Sequence, residues 1–112
     1  MAVTETFFAV EVQDMERAKA FYVRGLGATV LFATPQWTSL MIARVRIGLS
    51  LNAERAAGRV GLHFAVSDLN ATRAQLESVG GAAGALPMEV APGVTIAMVS
   101  DTEGNTFTLR QG

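Results

Sequence analysis

Large apolar residues recur at every second position over Phe8-Ala9-Val10-Glu11-Val12, which places Phe8, Val10 and Val12 on one face of a half-buried strand, and this period then gives way to a helical spacing. Met15, Ala18, Phe21, Tyr22 and Leu26 fall on one stripe of that helix, with Glu16, Arg17, Lys19 and Arg24 opposite. The same order returns 54 positions later. Leu62-His63-Phe64-Ala65-Val66 repeats the strand, and Leu69, Thr72, Leu76 and Val79 repeat the inward stripe. Asp14 and Asp68 stand where a carboxylate caps a helix N-terminus. Gly25 and Gly27 suit the first helix end, and Gly80-Gly81 the second. A supersecondary unit repeated within so short a chain constrains the architecture strongly.

Three strand-like runs follow the first helix, Ala28–Ala33, Gln36–Ala43 and Val45–Leu51, broken at Thr34-Pro35 and near Ala43-Arg44. Such short breaks predict antiparallel hairpins. After the second helix, strands are expected within Ala85–Val90, over Val94–Ser100 and over Thr106–Arg110. The first of these lies in a Gly-, Ala- and Pro-rich connection and is expected to be short or at an edge. Asp101-Thr102-Glu103-Gly104-Asn105 has hairpin-turn chemistry, with Gly104 best able to take positive φ. The reading is an α+β fold of two tandem β-α-β-β-β units, forming an incurved mixed sheet with the helices outside. Unit one spans about 5–52, a polar, Ala-rich linker about 53–59, and unit two about 60–110.

Composition narrows the partners. At 112 residues the chain is a single domain with one core. Half the residues are apolar and 17% are charged, which excludes disorder. The net charge is −1, with no basic stripe to recommend nucleic acid. There is no cysteine, so neither disulfides nor thiolate metal sites are available. No basic segment followed by an apolar run marks a secretory signal, and no apolar run approaches the roughly 18 residues of a membrane span. A soluble, cytoplasmic protein without membrane partners is expected.

The doubled segments FAVEVQDMERAKAFYVRGLGA and LHFAVSDLNATRAQLESVGGA, with SDTEGNTFTL near the end, resemble the glyoxalase / bleomycin-resistance / extradiol-dioxygenase family, the vicinal oxygen chelate fold. The resemblance runs from Phe7 to Arg110. In metal-dependent members it implies four ligands, one from the first and one from the last strand of each unit, usually His, Gln or Glu. The matching positions here are Phe7, Ser50, Gly61 and Thr108. Phenylalanine and glycine offer no donor, and neutral hydroxyls bind metals poorly without carboxylate or imidazole company. The departure implies the metal-free branch that sequesters small, often aromatic or antibiotic-like molecules, or a member of unassigned role, with no cofactor and in a homodimer.

The residues expected to line the site are Trp37, Met41 and Met98 for apolar contact, and His63, Ser50, Thr108 and Glu11 for polarity. Trp37 suits stacking on an aromatic ligand, though core or interface packing is the commoner use of a tryptophan. His63 is the one histidine; it would hydrogen-bond a ligand or be satisfied by a neighbour. Glu11 would need a partner such as Arg44, Arg46 or Arg110, or else lie in water. A second reading is a glyoxalase-like lyase or isomerase using His63 and Glu11. A third is an accessory domain whose concavity is filled by its own side chains.

Overall fold

The computed structural model describes residues 5–54 and 58–112, apart from the side chain of Arg59. The chain divides into two compact units, Met1–Arg55 and Ala56–Gly112. Positions 55–57 of the expected linker lie outside the described residues.

Unit 1 runs β1 (Phe8–Val12), α1 (Met15–Leu26), β2 (Thr29–Ala33), β3 (Trp37–Ile42) and β4 (Val45–Leu51). Its sheet has the order β1-β4-β3-β2, with β1 parallel to β4 and the other pairs antiparallel. The two-residue alternation sends Val10, Val12, Leu40, Ile42, Ile47 and Leu49 to one face, where all six are buried. Helix α1 covers that face with Met15, Ala18, Phe21 and Tyr22. Leu26 is only half-buried, because it closes the last turn. The Asp14 carboxylate accepts a hydrogen bond from the Arg17 amide at 3.0 Å, and Gly27 ends the helix at φ 69°.

Unit 2 runs β5 (Gly58–Ala65), α2 (Leu69–Ser78), β6 (Ala82–Ala83), β7 (Met88–Ala91), β8 (Val94–Ser100) and β9 (Asn105–Gln111). The order is β5-β9-β8-β6, with β7 also pairing β8. Strands β5 and β9 are parallel and the other pairs antiparallel. Leu62, Ala97, Val99, Phe107 and Leu109 are buried on the face that packs with Leu69 and Leu76 of α2. The Asp68 carboxylate caps α2 through the Ala71 amide at 3.0 Å. The Asp101–Asn105 turn is held from within. Asp101 accepts from the Glu103 and Asn105 amides at 2.7 and 2.9 Å, and from Asn105 Nδ2 at 2.9 Å.

The tandem order and the helix-covered faces agree with the sequence. One boundary and one strand differ. Strand β5 begins at Gly58, inside the expected linker, because Gly58 and Arg59 pair with Asn105 and Thr106 across the ladder. Strand β6, only two residues long, was not foreseen. Ala82 and Ala83 carry no strand signal of their own, and their pairing with Ser100 and Val99 creates it. Strand β7 starts at Met88 and is exposed throughout, as expected of an edge.

Candidate functional site

The helix-free faces of the two sheets carry the candidate chemistry, and each is described within its own unit. In unit 1, β3 points Trp37, Ser39 and Met41 to this face. β4 adds Arg46, Gly48 and Ser50, and β1 adds Glu11. Trp37 is paired in register with Ser50, and Ser39 with Gly48. The indole does not stand off the sheet. It lies over Gly48, where a Cβ would overlap the ring. Its Nε1–H donates to Ser39 Oγ at 2.9 Å.

Arg46 completes the cover. Its guanidinium donates to both Glu5 carboxylate oxygens at 2.7 Å and to Ser39 Oγ at 3.3 Å. It also sits 4.7 Å from the centre of the Phe7 ring, which in turn meets Trp37 edge-on at 6.1 Å. A side-chain raft of Glu5, Phe7, Trp37 and Arg46 therefore roofs the middle of the face. Ser39 beneath it is completely buried. Glu11 is exposed and accepts from Asn52 Nδ2 at 2.6 Å. Of the three arginines the sequence offered as partners, Arg46 is bound to Glu5 instead. Met41 and Ser50 are half-buried.

Unit 2 is built differently. Gly61 occupies the place that Phe7 holds in unit 1, and a Cβ there would meet nothing within 4 Å. His63, Thr108 and Met98 form one row across β5, β9 and β8, each paired in register with the next. They border a concavity of about 500 Å³, whose remaining lining is Val60, Gly61 and Ile96. His63 is exposed to it and Met98 half-buried. Thr108 is 8% exposed, and its hydroxyl has no hydrogen-bond partner among the described residues. A hydroxyl that makes no internal hydrogen bond and borders a hollow is free to meet a ligand atom. A second hollow of similar volume lies in unit 1, against Asp14, Lys19, Thr34 and Leu51, and holds none of the expected site residues.

Three of the seven expected site residues thus meet around one concavity, His63, Met98 and Thr108. The other four, Glu11, Trp37, Met41 and Ser50, share the roofed face of unit 1. Sequence reading missed the Arg46–Ser39–Trp37 contacts and the lining by Val60 and Ile96. Gly48, alternating with apolar residues in a strand, was the available signal for close approach of a ring.

The positions that bind metal in the resembling family do not fit a metal here. In unit 1, Phe7 is engaged by Trp37 and Arg46, and Ser50 offers only a hydroxyl. In unit 2, Gly61 has no side chain and Thr108 again offers a hydroxyl. Among the described residues, no three His, Asp or Glu side chains gather as a metal-binding group. Among them too, no helix is long and apolar enough to cross a membrane.

Known structures share this architecture. The fosfomycin resistance protein FosX from Listeria monocytogenes superposes with a TM-score of 0.84 at 14% identity, covering 100% of this chain and 95% of that one. A glyoxalase/bleomycin resistance protein/dioxygenase family enzyme from Burkholderia phytofirmans PsJN gives 0.81 at 17% identity, covering 93% and 95%. Hypothetical protein SA1046 from S. aureus gives 0.76 at 20% identity, covering 100% and 96%. At these identities the likeness establishes the fold. No curated protein matches the chain. The family model of the glyoxalase-like domain matches residues 7–110, and with nearly the whole length matched, the chain belongs to that family.

Proposed function

We propose that the protein is a metal-independent small-molecule-binding protein of the bleomycin-resistance type, with its ligand seated on the open face of unit 2. The observation that carries this reading is the row His63–Thr108–Met98, which borders a hollow of about 500 Å³ and in which the side chain of Thr108, a residue 8% exposed, has no hydrogen bond among the described residues. Binding energy would come from covering Met98, Ile96 and Val60, and orientation from Thr108 and His63. Trp37, Met41, Ser50 and Glu11 take no part in this version. Their face is supplied with its own aromatic cover.

Transplanting the unit 1 residue tests the reading. A Cβ at Gly61 meets nothing within 4 Å and the position borders the hollow, so Gly61→Phe directs its ring into the proposed site. In a small-molecule screen by thermal shift, ligands that raise the melting temperature of the wild type should lose at least tenfold in affinity in Gly61→Phe. Ligands that stabilise both proteins equally would place the site elsewhere.

The same proposal has the protein act as a cytoplasmic homodimer. The exposed apolar run Val30, Leu31 and Phe32 on edge strand β2 supports pairing. A single-chain mass by light scattering at micromolar concentration would refute it.

A further inference from the structure

The open face of unit 2 has a sign as well as a shape. One row along from Thr108, the register places Ala65, Arg110 and Ile96 across the same three strands, about 7 Å further on. Arg110 alternates with Thr108 on β9 and so leaves the sheet on the same side. It is exposed, and its guanidinium has no ion pair or hydrogen bond among the described residues. The acidic residues of the unit lie elsewhere. Asp68 caps α2, Glu77 lies on α2, and Asp101 and Glu103 belong to the β8–β9 turn. Glu89 is in register with Thr95, which pairs with Gln111. That row faces α2, because the Gln111 side chain accepts from the Leu69 amide at the start of the helix.

We infer that the ligand of this site is a small organic anion, a carboxylate or comparable oxyanion on an apolar body. This deepens the binding reading and rests on it. The anionic group lies toward Arg110, within reach of the Thr108 hydroxyl and the His63 ring, and the body covers Met98, Ile96 and Val60. Three donor groups without a carboxylate among them favour an anion and disfavour a cation, because hydrogen bonds between charged partners are the stronger ones and a cation would leave Arg110 facing like charge. Arg46 in unit 1 has no such vacancy, since Glu5 already neutralises it.

The test is amide NMR of the full chain, titrated with 2-naphthoate and with its neutral isostere 2-naphthamide. Naphthoate should shift the resonances of His63, Met98 and Thr108 and bind at least tenfold more tightly than naphthamide. In Arg110→Gln, an exposed and conservative change, that preference should fall to within about twofold. Equal affinities in the wild type, with both probes shifting those resonances, would overturn the anion inference and leave the binding reading standing. If neither probe moves those resonances, both fall.

Discussion

The two units repeat one chain order, yet the faces turned away from their helices end in opposite states. In unit 1 a tryptophan lies flat on a glycine, and an arginine, neutralised by a glutamate, closes over it. In unit 2 the place of Phe7 is taken by Gly61, a threonine hydroxyl is left unpaired, and an arginine has no partner among the described residues. The difference teaches that a repeated fold need not repeat a site. On the helix-free face of the first unit the indole N–H, Ser39 and Arg46 bond to one another and to Glu5, whereas on that of the second His63, Thr108 and Met98 border an open hollow. On the proposed reading, binding chemistry belongs to the copy whose face is left open.

The sharpest way to break this comparison is to remove the indole. Trp37→Ala deletes a half-buried ring, its hydrogen bond to Ser39 and its edge contact with Phe7, and should cost about 3 kcal/mol of stability. Affinity of any ligand seated on unit 2 should stay within about twofold of wild type. Chemical denaturation and a binding titration on one preparation read both quantities. A tenfold loss of affinity with unchanged stability would return Trp37 to the ligand and erase the contrast. Gly48→Ala attacks the same contact from below. Its methyl would overlap the indole, and forcing the ring off the sheet should cost about 1–3 kcal/mol and shift tryptophan emission to the red. Native emission in that variant would mean that the ring never rested on Gly48.

Much of this architecture is legible in the sequence, because periodicity reports burial directly. The stripe Met15, Ala18, Phe21, Tyr22 and the alternation through Val10 and Val12 fix which face each helix covers. Asp14, Asp68 and Gly27 mark ends through local hydrogen bonding and backbone freedom, which need no knowledge of the rest of the chain. What stays hidden depends on distant pairing. Gly58 joins a strand only because Asn105 lies beside it, and Ala82-Ala83 only because of Ser100 and Val99.

The site is legible by half for the same reason. Alternation puts Trp37 and Met98 on comparable faces of their units. It cannot tell that the indole would fold onto Gly48 while Met98 would border a hollow. Arg110 is the clearest case. In the sequence it is one of several candidate partners for Glu11, and only the register shows it one row beyond Thr108 and without an acid.

The smallest effect sharpens the comparison at the hairpins. Both units turn between their last two strands through a residue of positive φ, but unit 2 uses Gly104 at 82° and unit 1 uses Ala43 at 53°. A left-handed conformation costs an alanine about 1 kcal/mol, since its Cβ crowds the backbone. Glycine escapes that cost but loses more chain entropy on folding, about 0.5–1 kcal/mol relative to alanine. The two terms nearly cancel, so Ala43→Gly should change stability by no more than about 0.5 kcal/mol, on the stabilising side. Ala43→Val adds a branched side chain at the same φ and should lose more than about 1 kcal/mol. Measured together by denaturant unfolding, the pair isolates the backbone term from the turn's other contacts. If valine is tolerated as well as alanine, the turn in solution is not left-handed at this position, and the two hairpins differ in more than their choice of residue.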